Sequence, residues 1–302
     1  MIDETTSGVF TIAATPFLPD GALDLASVDT MVDFYAENGA TGLTILGMMG
    51  EAGKLSTAES EAMIARVVAR TNLPVVFGVT APGLAAIQHL SASAMDQGAA
   101  GVMVAPPSQL RTDDQIVSYF QNVAEALGET PWILQDFPLA THVQITPNVL
   151  RKIFDTCPTC KMLKHEDWPG LEKISALRQQ EEDGARRISI LCGNGGLFLL
   201  EELLRGADGA MTGFAYPEMM RDINALVHSE PERARDIADA YLALIRYETQ
   251  PGLGLAVRKY ILARRGAIAH GTVRKPGLTL SKRTIAEIET LIVRQEARLS
   301  AL

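Results

Sequence analysis

Eight short apolar runs, separated by longer amphipathic stretches, constrain the fold of this chain more than any other feature. The runs are VFTIAAT (9–15), GLTILG (42–47), PVVFGV (74–79), GVMVAP (101–106), PWILQD (131–136), KMLKH (161–165), ISILCG (188–193) and GAMTG (209–213). Eight strand–helix repeats at intervals of roughly 20 to 35 residues predict an α/β fold, a (β/α)8 TIM barrel of about 250 residues. A doubly wound sheet is the alternative, but it usually has fewer strands.

The stretches between the runs indicate helices. Four apolar side chains recur on one face of LASVDTMVDFYAENG (25–39). Ser56 with Glu59, and Thr112 with Gln115, fit capping boxes at two helix starts.

The strand pattern stops after Pro217, and the remaining residues have helical patterns. We therefore predict a barrel in residues 1–220, and barrel-closing and C-terminal helices in residues 221–302. This C-terminal helical extension is expected to serve packing or subunit contact.

Composition restricts the class of protein. A chain of 302 residues with 47% hydrophobic residues is long enough for one large domain with a sizeable core. A formal net charge of −9 argues against nucleic acid or an anionic membrane as a partner. No apolar run approaches the roughly 20 residues of a membrane span, and MIDETTSG at the N-terminus lacks the pattern of a signal peptide. We predict a cytoplasmic protein.

Three cysteines are a poor basis for a disulfide framework. Cys157 and Cys160 form a CPTC motif, but only Cys192 remains, and there is no second CxxC. We predict thiols without a function, on the face opposite the active site, because CPTC precedes the sixth run. No cluster at ligand spacing accompanies His165, so we expect no metal.

The sixth run carries a lysine next to its last residue. In CKMLKHEDWPG (160–170), an apolar strand end is followed by Lys164 and then by three polar residues. An unpaired buried ammonium is costly, and desolvation disfavours the charged form of an amine. A neutral amine at the barrel mouth can form a Schiff base with a ketone. The alternative is a strand-end lysine that pairs with Glu166 or Asp167.

Two other runs end in candidate binding residues. The second ends in GMMGE, where Gly47 and Gly50 permit a tight turn whose backbone N–H groups can hold a carboxylate. The fifth ends in QDFP, which places Gln135 and Asp136 at the rim of the barrel.

From TPF (15–17) through GMMGE and Lys164 to GADGAMTG (206–213), the chain resembles the dihydrodipicolinate synthase and N-acetylneuraminate lyase family over essentially its whole length. The resemblance implies a TIM barrel with C-terminal helices, commonly a homotetramer built as a dimer of dimers, without a cofactor. It also implies a lysine that forms a Schiff base with a 2-oxo acid such as pyruvate, and Lys164 occupies that position. Gly193 and Met211 are further candidates for substrate contact.

The chain departs from this family at four places. The family's GTTGE loop is GMMGE here, so Met48 and Met49 replace two threonines. The tyrosine of YNxP falls at Gln135, and the tyrosine that a neighbouring subunit contributes falls at Ser108. The arginine that grips an aldehyde substrate falls near Ala140. Dihydrodipicolinate synthase activity is therefore not expected.

Three functions remain open. The QDxP segment, with GADGAMTG and ETQPGLG (248–254), resembles the 2-keto-3-deoxy-L-arabonate dehydratase branch of the family. Dehydration of a 2-keto-3-deoxy sugar acid ranks first, with Gln135 and Ser108 as candidate catalytic residues beside Lys164. A pyruvate-dependent aldolase ranks second, because it normally uses the missing tyrosine. A non-catalytic barrel that binds an anion at GNGG (193–196) is the third.

Overall fold

The computed structural model describes residues 1–168 and 170–302. Its strands pair in chain order, each parallel to the next, and the last closes onto the first. They are β1 (Gly8–Ile12), β2 (Gly42–Ile45), β3 (Val75–Gly78), β4 (Gly101–Val104), β5 (Trp132–Asp136), β6 (Cys160–His165), β7 (Ser189–Cys192) and β8 (Gly209–Thr212). Every predicted run overlaps one strand, so the predicted TIM barrel is confirmed.

Helices follow the strands and enclose the barrel. They are α1 (Leu25–Glu37), α2 (Thr57–Arg70), α3 (Leu84–Asp96), α4 (Asp113–Leu127), α5 (Pro138–Thr141), α6 (Pro147–Thr156), α7 (Leu171–Glu182), α8 (Leu199–Leu204), α9 (Pro217–Leu226), α10 (Pro231–Glu248), α11 (Gly254–Arg264) and α12 (Lys282–Leu299). Both predicted capping boxes are present, at the starts of α2 and α4.

The barrel interior is a packed core and not a pore. Alternate strand residues point inward and form one apolar cluster: Phe10, Ile12, Val76, Met103, Ile133, Met162, Leu191 and Met211, with Ile2 and Ala100. Ile2 closes the barrel at the amino-terminal ends of its strands, where the Ile2 backbone N–H donates to the Ala100 carbonyl oxygen at 2.9 Å. Its side chain occupies the space that a Cβ at Gly101 would need.

The CPTC motif lies at the amino-terminal end of the barrel strands, opposite the mouth, as predicted. Cys157 caps the C-terminal end of α6, and Cys160 is the first residue of β6. Both are fully buried free cysteines, and burial raises the pKa of each thiol, so both stay protonated.

The C-terminal helices pack against one another and against the barrel. Helix α9 follows β8, contacts β1 and crosses the predicted boundary at residue 220, which remains a prediction. Helix α10 packs on α9, α11 and α12. Within residues 1–168 and 170–302, no helix has both the length and the apolar character needed to cross a bilayer.

Candidate active site

Lys164 lies near the carboxyl end of β6, as predicted. Its side chain points into the barrel, because Met162, two residues earlier on the same strand, belongs to the interior cluster. Lys164 is only 5% exposed. An amine held at this depth needs a partner, since desolvation penalises its charge.

That partner is the carboxylate of Glu166. Its Oε2 lies 3.0 Å from the Lys164 Nζ and accepts a hydrogen bond from the Gln135 Nε2 at 2.7 Å. Gln135 and Lys164 are register partners on β5 and β6, and all three side chains are buried. The structure therefore brings together an amine, a carboxylate and an amide at the mouth of the barrel.

Gly193 makes room for this carboxylate. A Cβ at position 193 would overlap the Cγ of Glu166, so only glycine fits at the end of β7. The pairing of Lys164 with Glu166 is one of the two pairings that the structural alternative expected from the sequence. A role for Glu166 in the site was not predicted, because the sequence does not reveal which of the three polar residues 165–167 turns inward.

The GNGG segment does not present its glycine N–H groups to a ligand. The Gly193 N–H donates to the His165 carbonyl oxygen at 2.8 Å, and the Gly195 N–H to the Thr212 hydroxyl at 2.8 Å. The Gly196 N–H donates to the Gly193 carbonyl oxygen at 2.9 Å. The third hypothesis, an anion-binding barrel, loses the feature on which it depended.

The GMMGE loop retains donors for a carboxylate. Residues 48–50 form a short 3-10 helix, whose first N–H groups have no acceptor within the helix. The N–H groups of Met48 and Met49 also find no other acceptor in the described part of the chain. The side chain of Met49 packs on the interior cluster, so this turn borders the barrel interior.

Glu51 fixes the end of this loop. It is buried in the left-handed conformation, with φ of 56°, an uncommon conformation for a residue with a side chain. Its carboxylate accepts from the Lys259 Nζ at 2.5 Å, the Lys54 Nζ at 2.9 Å and the Arg274 backbone N–H at 3.0 Å. Because Lys259 belongs to α11, the C-terminal extension supports the loop directly.

The other candidate residues occupy different surroundings. Met48 is half exposed, and Ser108 is exposed on the loop between β4 and α4. Met211 is fully buried in the interior cluster, beside Phe10 of β1. Their roles in catalysis or substrate binding remain predictions.

No metal-binding group emerges in the part of the chain that the structure describes: three or more His, Cys, Asp or Glu side chains are nowhere arranged around one point. A groove of about 800 Å³ lies away from the barrel mouth, between α10 and the C-terminal end of the chain, lined mainly by alanine, leucine, aspartate and arginine. It contains no lysine, histidine or cysteine that could act as a nucleophile.

Comparison with known sequences identifies relatives of this chain. Residues 5–295 match the dihydrodipicolinate synthetase family. The 4-hydroxy-tetrahydrodipicolinate synthase of Sorangium cellulosum is 30% identical, over 98% of this chain and 98% of that protein. The L-2-keto-3-deoxyarabonate dehydratase of Azospirillum brasilense is 27% identical, over 93% of this chain and 92% of that protein.

Solved structures have the same architecture. A dihydrodipicolinate synthase from Rhodopseudomonas palustris is 50% identical, with a TM-score of 0.95 over 97% of this chain and 99% of that chain. YagE, an Escherichia coli K12 prophage protein of the dihydrodipicolinic acid synthase family in complex with pyruvate, has a TM-score of 0.86 over 96% of this chain and 98% of that chain. At 22% identity the second likeness concerns the fold alone.

The Glu51–Lys259 pair predicts a stability effect. Lys259→Met should lower the free energy of unfolding by about 3–5 kcal/mol, because it leaves a buried carboxylate without its buried cation. Adding Glu51→Gln should recover part of that loss. Urea denaturation measures both, with Lys152→Met as control, since Lys152 pairs with Asp114 on the surface. An equal loss in the single and double variants would contradict this account.

Proposed function

The chain belongs to the dihydrodipicolinate synthetase family of lyases, and we propose that it dehydrates a 2-keto-3-deoxy sugar acid through a Schiff base on Lys164. The observation that supports this best is the buried carboxylate of Glu166, 3.0 Å from the lysine amine. A dehydratase needs an electron sink and one group that moves protons at C3 and C4. Lys164 provides the first and Glu166 the second.

The first step is attack of the neutral Lys164 amine on the C2 carbonyl. Glu166 is in contact with the amine and takes its excess proton. A C–N bond forms, the Glu166 carboxyl returns that proton to the oxygen of the carbinolamine, and the oxygen leaves as water to give an iminium at C2. The N–H groups of Met48 and Met49 are the proposed donors to the C1 carboxylate.

The second step is elimination. The iminium acidifies the C3 proton, which the Glu166 carboxylate removes to form an enamine. The C4–O bond then breaks, and the Glu166 carboxyl returns the proton to the departing hydroxyl, which leaves as water. Hydrolysis of the remaining iminium releases the unsaturated product and regenerates the amine.

Gln135 has a supporting role in this scheme. A carboxamide does not exchange protons near neutral pH, but its NH₂ group donates to Glu166 at 2.7 Å. This hydrogen bond orients the carboxylate beside the amine. Ser108 remains a candidate for contact with the distal hydroxyls of the substrate.

A pyruvate-dependent aldolase is the second candidate, and the names of the relatives favour it. Most of those compared are called 4-hydroxy-tetrahydrodipicolinate synthase. Aldol cleavage of the same iminium requires removal of the C4 hydroxyl proton, and Gln135 occupies the position of the family tyrosine that normally does this.

We further propose a cytoplasmic homotetramer that binds neither nucleic acid nor membranes. The family resemblance supports the assembly, and the net charge of −9 supports the absence of polyanionic partners. Sedimentation of the purified chain measures the assembly.

Trapping tests the Schiff base. Borohydride added with pyruvate should reduce the iminium to a stable secondary amine, and mass spectrometry should locate the adduct on Lys164 alone. Lys164→Ala should abolish both the adduct and turnover. The control is Lys152→Ala, because Lys152 is an exposed lysine, whereas Lys173 is buried. An adduct on another lysine would refute the assignment.

Product analysis separates the two lyase reactions. With 2-keto-3-deoxy-L-arabonate and related acids of four to six carbons, we expect an intact carbon chain that has lost one water. Release of pyruvate would instead identify the aldolase. Incubation of pyruvate with aspartate semialdehyde should give little or no condensation, because Gln135, Ser108 and Ala140 replace the groups used for it.

Glu166→Gln tests the proton transfer without knowledge of the sugar acid. Pyruvate bound as the iminium exchanges its C3 protons with deuterated water whenever a base removes them, and proton NMR follows the loss. The variant should exchange about 10²–10⁴-fold more slowly, the usual contribution of a general base. It should still trap pyruvate at Lys164 when given longer to react. Unchanged exchange would exclude Glu166 as the base.

A further inference from the structure

A second group of buried charges lies behind the catalytic residues, on the helix-facing side of β5 and β6. Asp136 follows Gln135, His165 follows Lys164, and these two outward residues are register partners. The amine of Lys173, on α7, lies 2.6 Å from the Asp136 Oδ2 and 2.8 Å from the Asp167 Oδ2. We call Asp136, Lys173 and Asp167 the clamp.

All three side chains of the clamp are largely buried. Asp136 is fully buried, and Lys173 and Asp167 expose only 6% and 12% of their side chains. Desolvation raises the pKa of Asp136 to about 6, although Lys173 opposes the shift. Desolvation and the nearby Lys173 charge lower the pKa of His165 to about 4, so the imidazole is neutral and Lys173 carries the positive charge of this region. Because buried ion pairs often contribute little net stability, the geometry they impose is the more informative property.

The clamp restrains the two residues directly after β6, Glu166 and Asp167. The Glu166 N–H donates to the Asp136 carbonyl oxygen at 2.8 Å, which attaches the segment to β5 through the backbone. Asp167 is attached through Lys173 to the side chain of the same Asp136. The other oxygen of Asp167 accepts from the Trp168 N–H at 2.8 Å, so both carboxylate oxygens are engaged.

We propose that Lys173 is a positioning residue, which joins Asp136 to Asp167 and thereby holds Glu166 in contact with Lys164 and Gln135. The inference rests on the proposed function, because it concerns the proton transfer assigned to Glu166. Glu166 lies directly after β6, where the regular pairing of strands ends. Its side chain must fit the narrow space beside Gly193. A shift of about 1 Å in a catalytic group can cost up to about a hundredfold in rate, so this attachment matters for catalysis.

Asp167→Asn is the sharpest test, because it breaks the attachment of the loop and keeps the Lys173–Asp136 pair. The amide oxygen can still accept from the Trp168 N–H. Exchange of pyruvate C3 protons should slow about ten- to a hundredfold. The yield of borohydride-trapped pyruvate at saturation should stay unchanged, since the Lys164 amine is intact. The expected change is thus in the rate constant of exchange and not in the pyruvate concentration that half-saturates it.

A double-mutant cycle separates positioning from general loss of structure. In a Glu166→Gln background, Asp167→Asn should change the exchange rate by less than about twofold, because the group it positions is gone. Arg151→Met is the matched control: Arg151 is a buried cation of α6 that donates to the Arg186 carbonyl oxygen at 2.7 Å. It should lower stability without changing exchange.

Lys173→Met combined with Asp136→Asn and Asp167→Asn is the second variant, because it removes all three charges of the clamp and leaves none uncompensated if a single change prevents folding. It should reproduce the Asp167→Asn effect. Equal losses of exchange in the wild-type and Glu166→Gln backgrounds would overturn the proposal, as would full exchange in a folded Asp167→Asn protein. A wild-type protein that traps no pyruvate would overturn the proposed function itself, and with it the clamp.

Discussion

The burial of one amine at the end of β6 determines how the mouth of this barrel is built. A lysine that is 5% exposed in an apolar barrel needs a partner, and the structure provides it from two residues further along the same chain. The Glu166 carboxylate adds a second charged group inside the barrel. The Glu166 carboxylate in turn needs the amide of Gln135 and the space left by Gly193. Three strands therefore contribute to the accommodation of a single side chain.

Two further ion-pair networks support the mouth from outside the barrel. Lys259 of α11 reaches Glu51 and fixes the loop that carries the N–H groups of Met48 and Met49, which find no acceptor among the residues described. Lys173 of α7 reaches Asp136 and Asp167 and restrains the segment that carries Glu166. In both networks a lysine from an outer helix binds a carboxylate beside a residue to which we assign binding or catalysis. These two outer helices thus support the mouth of the barrel from behind.

The fold and the lysine were accessible from the sequence because both follow from local patterns. A strand is a run of apolar residues, and Lys164 interrupts such a run at its carboxyl end. Glu166 was not accessible as a functional residue, because HED contains three polar residues in succession. Its inward direction depends on contacts with β5 and on the absence of a Cβ at position 193, both distant in sequence. For the same reason GNGG resembled an anion site: two of the three acceptors that occupy its glycine N–H groups, on His165 and Thr212, belong to other strands.

The proposed role of Glu166 in proton transfer also bears on how far the relatives' names can be applied. Identity is 27–30% with proteins named as a synthase and as a dehydratase, and 50% with a solved structure named as a dihydrodipicolinate synthase, so the names do not agree on one reaction. The chemical groups are more restrictive. The Gln135 carboxamide does not exchange a proton near neutral pH, whereas a carboxylate can accept one. The Glu166 carboxylate contacts the amine from the segment after β6 rather than from β5. A base next to the iminium nitrogen is well placed for the proton at C3, the carbon adjacent to C2. Dehydration requires removal of that proton, whereas aldol cleavage requires a proton to be returned to the same carbon. The two reactions therefore differ at the C4 hydroxyl, whose proton only cleavage must remove and for which the Gln135 carboxamide is no base.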